Sequence, residues 1–197
     1  MDQSQRQKAL AGALSGLLFF SGLACAQVNP FSVLGKVVTT SMDARSKAEV
    51  SADAEISAAA SKRLLDDKKS EWAGVTVMVF AQRVVIAGAV KSAEVKKRVA
   101  EVAGRDARIR SLANELLVGD VGSLARDTAL EAEINATLTA AKGVSSVNMR
   151  WCATGGNVVL MGVAQSQPEA SLAATTVRGI KGVKTLKSHL RIVAAKK

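Results

Sequence analysis

Tyrosine is absent from this chain, histidine occurs once, and cysteine and proline occur twice each among 197 residues. Each shortage narrows what the protein can be. With His189 as the one histidine, a histidine-based metal site or a paired acid–base centre has almost no material. No catalytic constellation is visible, so no enzyme activity, metal or cofactor is expected. Aromatic residues make up 3% of the chain, which leaves Ala, Val, Leu and Ile to build its cores. Domains of roughly 70 residues built this way bury a limited fraction of their surface and are only modestly stable alone. Acidic residues are also scarce, 17 against 27 basic ones, for a formal charge of +10.

What the chain does have is a repeat. Val84-Val85-Ile86-Ala87-Gly88-Ala89-Val90 returns as Val158-Val159-Leu160-Met161-Gly162-Val163-Ala164. Each copy is a short apolar, β-branched run with a glycine near its end, the pattern of a buried strand. The offset holds downstream, where Ile109-Arg110-Ser111-Leu112 maps onto Val183-Lys184-Thr185-Leu186. Two small domains on one chain follow, and their small cores imply that the copies pack on each other. Gly88 and Gly162 are read as structural, marking a bulge or a close backbone approach.

Taken in order, Arg6 and Lys8 precede an uncharged apolar run from Ala9 to Ala24, shorter than the roughly 20 residues of a bilayer-spanning helix. Residues 1–26 therefore read as a secretory signal. Ala24-Cys25-Ala26 is a site for ordinary signal peptidase, whereas Gly22-Leu23-Ala24-Cys25 is an imperfect lipobox that would make Cys25 a lipid-attachment point. Both readings stay open. Under either, Cys25 cannot pair with Cys152 inside a folded domain, so no internal disulfide is expected. Cys152 reads as a buried small hydrophobe, and pairing between chains stays open. Residues 27–46, with Pro30 and Gly35, read as a flexible connector.

The first domain spans residues 47–119 and the second residues 120–195. In the first, Ala52, Ile56, Ala59, Ala60 and Leu64 form a helical stripe. Val75 to Phe80 and the repeated stretch make a hairpin, Val95, Val99, Val102 and Ala103 stripe a second helix, and Ile109 to Val118 returns as a third strand. In the second, Leu130, Ile134, Leu138 and Ala141 stripe the first helix, and Val147 to Cys152 begins the sheet. Thr154 to Asn157 forms the turn, and Leu172, Ala173, Thr176, Val177 and Ile180 face inward on the last helix. The expected class is α+β: two tandem α-β-β-α-β units, each a three-stranded mixed sheet covered by two helices. Trp72 and Trp151 flank the first strands and read as core.

Charge separates the copies. Lys47 to Asp120 holds 13 basic and 11 acidic residues, and Val121 to Lys197 holds 10 and 4. Arg178, Lys181, Lys184, Lys187, Arg191, Lys196 and Lys197 crowd the last twenty positions. Such a cluster suits anionic lipid head groups, at about 1 kcal/mol per charge near a surface; the plain alternative is a solvated basic face. Gly179-Ile180-Lys181-Gly182 matches the GXXG loop by which KH domains clamp a nucleic-acid backbone, which makes KH-like nucleic-acid binding the alternative function.

The two α-β-β-α-β units resemble the BON domain, each having a Val-Val-(Ile/Leu)-X-Gly core after a turn, behind a signal sequence. The resemblance covers about Glu49 to Ile192. Among BON proteins the chain is similar to the dual-BON outer-membrane lipoproteins, in which a lipidated cysteine precedes a connector ending in Asp-X-Arg-Ser, as Cys25 precedes Asp43-Ala44-Arg45-Ser46. The resemblance implies a non-enzymatic, stress-linked role in maintaining the cell envelope by binding phospholipid or envelope proteins, from the periplasm or anchored to the outer membrane. It carries no catalytic site and no nucleic-acid partner. One departure is expected to matter: the first helix of the second unit carries Asp127, Glu131 and Glu133 and no aromatic residue, which disfavours it as a membrane-binding face.

Overall fold

A computed structural model describes residues 43–68, 73–120 and 123–193. The leader with Cys25, the connector up to residue 42, Trp72, Lys196 and Lys197 lie outside the described residues.

The first helix, α1 (Lys47–Asp66), starts at a capping box in which the Ser46 hydroxyl accepts from the Glu49 amide and the Glu49 carboxylate accepts from the Ser46 amide. Its stripe buries Ile56, Ala60 and Leu64, and also Asp53. Strands β1 (Val75–Phe80) and β2 (Arg83–Val90) pair antiparallel around the two-residue turn Ala81-Gln82. Helix α2 (Ala93–Ala103), capped by Ser92, crosses over so that β3 (Ser111–Asn114) returns parallel to β2.

The third strand of this unit is not continuous. It resumes as β4 (Leu117–Val118) with its register against β2 unchanged, Ile86 opposite Asn114 and Ala89 opposite Leu117, so no residue is inserted. The interruption is stitched to α2 instead. Asn114 donates to the Lys96 carbonyl at 2.9 Å, and the Lys96 ammonium donates to the Leu116 carbonyl at 2.6 Å, while Leu116 enters the core at 1% exposure.

The second unit repeats the order with α3 (Leu124–Ala140), β5 (Met149–Thr154), β6 (Asn157–Ala164), α4 (Gln167–Arg178) and an unbroken β7 (Thr185–Ile192). A 3-10 turn over Ser146–Asn148 takes up the residues where β5 was expected to begin. The turn is only Gly155-Gly156, since Thr154 and Asn157 already pair in the ladder. Pro168 sits in the first turn of α4, where its missing N–H costs nothing. On that helix Leu172 points outward at 42% exposure rather than into the core, and Ala173, Ala174 and Val177 are buried in its place.

Both central strands pass very close to the segment opposite their glycine. A Cβ on Gly88 would lie 1.9 Å from the Gly74 carbonyl oxygen, and one on Gly162 would lie 2.1 Å from that of Asn148. Both also have φ in the left-handed range, +118° and +134°.

Pleat alternation gives the hairpin strands β1, β2, β5 and β6 two largely buried faces. Val75, Val79, Val84 and Ile86 face α1 and α2, and Met149, Ala153, Val158 and Leu160 face α3 and α4. The other faces meet. Met78, Phe80, Val85 and Ala87 of the first sheet pack against Cys152, Val159, Met161 and Val163 of the second, forming a third core. The layers therefore run helices, sheet, sheet, helices, and Cys152 is 1% exposed at the centre. The packing expected from the small size of each unit is present.

Candidate functional site

The site is built outward from the hairpin turns. Ala81 and Gln82 both adopt positive φ, 50° and 61°, a conformation that costs a non-glycine residue about 1–2 kcal/mol. Asp53, buried on α1, holds the turn by accepting from both amides at 2.7 Å. Asp127, at the same place on α3, accepts from Gly155 at 3.0 Å. Glycines already favour that geometry, so the second turn needs one bond where the first has two.

Asp127 is one of three acids in the second unit that turn toward backbone amides. Glu131 accepts from Ala153 at 2.8 Å, on the outer edge of β5. Glu169, 7% exposed, accepts from Ser145 and Gln165 at 2.7 Å each. On α3, backbone donors hold the carboxylates of Asp127 and Glu131 in place without removing their charge, and Glu133 alone of the four acids in this unit is exposed without such a bond among the described residues.

The basic residues behave differently. Arg178, at the last turn of α4, and Lys181 and Lys184 in the following loop are exposed and form no ion pair among the described residues. The stem of Lys184 lies over Gly156, whose added Cβ would meet it at 3.1 Å, so these side chains share one end of the domain with the β5–β6 turn. Lys187 and Arg191 lie elsewhere. They point to the sheet face that meets the first unit, and Arg191 is seven residues beyond Lys184, about 23 Å along the strand.

Lys187 crosses to Glu115 of the first unit at 2.5 Å, and His189 Nε2 lies 3.0 Å from the same carboxylate. Glu115 and His189 are repeat equivalents, 74 positions apart, so the two units meet about an approximate two-fold axis. Burial raises the Glu115 pKa, but hydrogen bonds from Lys187 and then His189 outweigh it and hold the carboxyl below its usual value.

At the far end of the seam the Asp43-Ala44-Arg45-Ser46 segment is folded onto both units. Arg45 pairs with Asp43 and Asp53, each at 2.8 Å, and its guanidinium lies 4.2 Å from the Phe80 ring centre. The Ala44 amide donates to Asn148 of the second unit at 2.8 Å. Arg150 approaches Phe80 at 5.4 Å and donates to the Val147 and Met149 carbonyls. Burial, and then the neighbouring Arg45, push its pKa down to about 10, which leaves it charged at neutral pH.

The Gly179 to Gly182 loop does not present two free side chains. Ile180 is 7% exposed and packs in the core, leaving Lys181 to face out. Trp151 lies partly buried against the second core and donates to the Glu131 carbonyl at 3.2 Å. Among the described residues no group of His, Cys, Asp or Glu could hold a metal ion, and no helix is long and apolar enough to cross a membrane. Asp53, Glu115 and Arg150 were not singled out from sequence, and Asp127 was read only as an acid on the first helix of the second unit, not as the holder of a turn. The matched spacing of Asp53 and Asp127 within the repeat was the signal that could have revealed this role for both.

Comparisons with known proteins agree with this division. A protein of Anaplasma centrale described as "Uncharacterized protein in gshII 5'region" is 33% identical over 129 residues, covering 64% of this chain and 85% of its own length. Osmotically-inducible protein Y of Escherichia coli (strain K12) is 28% identical over 144 residues, 71% of this chain and 72% of that protein. Among solved structures, CdsD, a structural protein of the type III secretion system of Chlamydia trachomatis, aligns with 16% identity. Its TM-score is 0.32, and the match covers 71% of this chain and 64% of that one, a likeness too low to carry inference. The family model described as BON domain matches twice, over residues 52–120 and 126–194, one match on each α-β-β-α-β unit. The chain belongs to the BON domain family and carries the domain in tandem.

Proposed function

We propose that the protein is a non-enzymatic envelope component that docks on anionic phospholipid surfaces through the α4–β7 end of its second BON domain. The observation that carries this reading is the asymmetry of charge use. Three of the four acids in the second domain are bonded to backbone amides, while Arg178, Lys181 and Lys184 are exposed together. Exposed cations grouped at one end of the domain attract anionic head groups at about 1 kcal/mol per charge near the surface. The name of the relative osmotically-inducible protein Y supports a role under osmotic stress. The leader over residues 1–26 is the export signal on this reading, and lipid attachment at Cys25 would hold the protein at the outer membrane facing the periplasm. Unmodified Gln27 as the first residue of the mature protein, seen by mass spectrometry, would replace that anchor with a soluble periplasmic form.

Co-sedimentation with phosphatidylglycerol vesicles tests the docking face. Binding is expected to fall steeply in Lys181→Glu/Lys184→Glu and to be absent on phosphatidylcholine vesicles. Equal binding of the variant and the native protein would reject it.

A further inference from the structure

The approximate two-fold relation of the domains makes an asymmetry at their seam informative. On one side of the seam Lys187 reaches across to Glu115. On the other side the equivalent of Lys187 is Ala113, and a cleft of about 310 Å³ opens there between β2 and β3 of the first domain and β6 and β7 of the second. Its apolar lining includes Val85, Ala113, Met161 and Val163. Its charged or titratable lining is Arg83, Arg191 and His189, with no acidic residue. Arg83 and Arg191 form no ion pair among the described residues. Arg83 Nη1 donates to Ser111 at 2.9 Å, but its buried Nε has no hydrogen-bond partner. Their repeat equivalents, Asn157 and Leu117, are uncharged, so both cations are particular to this side.

We propose that this interdomain cleft binds a single-chain anionic amphiphile, with the carboxylate or phosphate head on Arg83 and Arg191 and the first part of an acyl chain along Val85, Ala113, Met161 and Val163. Two guanidinium groups line the cleft with no carboxylate partner among the described residues, and an anionic oxygen bound between them would supply charge-assisted hydrogen bonds. The volume is at the lower end of ligand pockets and equals about ten water molecules at ~30 Å³ each, enough for a head group and a short apolar segment but not a whole phospholipid. The site is separate from the Arg178, Lys181 and Lys184 face and does not depend on it.

Isothermal titration of the purified protein with decanoate, decyl phosphate, decanol and inorganic phosphate tests this. Saturable binding of decanoate or decyl phosphate is expected, weakened by about tenfold or more in Arg83→Gln and in Arg191→Gln and lost in Ala113→Leu, which fills the cleft. The tighter of the two probes identifies a carboxylate or a lipid phosphate as the head. Arg191 is exposed, so its substitution leaves a folded protein even if Ala113→Leu does not. Arg83→Gln should keep its binding to phosphatidylglycerol vesicles, and Lys181→Glu/Lys184→Glu should keep decanoate binding, which separates this site from the docking face. No saturable binding, binding of decanol or inorganic phosphate as tight as that of decanoate, or titrations unchanged in the arginine variants would overturn the proposal.

Discussion

Replacing Asp53 by alanine should cost far more than the same change at Asp127, although the two residues are repeat equivalents. Asp53 accepts two amide bonds at 2.7 Å and an Arg45 bond at 2.8 Å, whereas Asp127 is seen to accept one amide bond at 3.0 Å. Leaving a buried donor unsatisfied costs about 1–3 kcal/mol, and Arg45 keeps Asp43 as its partner at 2.8 Å when Asp53 is removed, so the two amides carry most of the cost. Asp53→Ala should therefore destabilise by about 4–5 kcal/mol and Asp127→Ala by about 2 kcal/mol. The turns amplify the contrast, because Ala81 and Gln82 hold strained positive φ while Gly155 and Gly156 do not pay that strain. Urea unfolding followed by circular dichroism reads both values on the same slope. The expected gap of roughly 2 kcal/mol corresponds to some 4–8 °C in Tm for a chain of this size. Equal costs, or a cost below about 1 kcal/mol for Asp53→Ala, would refute the reasoning.

Three further outcomes follow from the same structure. Gly162→Val and Gly88→Val should each lower Tm, since a side chain there meets a carbonyl oxygen at about 2 Å; an unchanged melting temperature in either variant would be incompatible with that approach. Glu115 has a folded pKa below its unfolded value, so its contribution is present above the unfolded value and lost as pH falls through the folded one. Glu115→Gln should accordingly flatten the acid limb of a Tm-against-pH curve and leave its slope above pH 6 alone. Met161→Ala, at 2% exposure between the sheets, should cost about 2–5 kcal/mol and lower one shared calorimetric transition; two separate transitions would mean that the domains do not stabilise each other.

The strands and their order were legible because both faces of β1, β2, β5 and β6 are apolar and because the glycine repeats in register. Interdomain packing followed from the same pattern together with the size of each core. What was not legible is instructive in physical terms. A carboxylate on a helix looks the same in sequence whether it meets water or caps a turn 28 residues away, as Asp53 and Asp127 do. The break after Asn114 has no turn residue, since it is produced by the Lys96 and Asn114 bonds to and from α2. Leu172 satisfied the helical stripe, but Ala174 took the inward position. The basic cluster of the second domain was visible as a list, and only the fold divided it into the exposed Arg178, Lys181 and Lys184 and the seam residues Lys187 and Arg191.

The docking face is tested most directly by a polarity-sensitive fluorophore placed at position 181 through Lys181→Cys, compared with one at Arg105→Cys in the first domain, both in a Cys25→Ser background. Cys152 is 1% exposed and should stay unlabelled in the folded protein. On phosphatidylglycerol vesicles the label at 181 should shift to the blue and the label at 105 should not. Equal shifts at both positions, or none at 181 under conditions where the protein sediments with the vesicles, would contradict docking through the second domain.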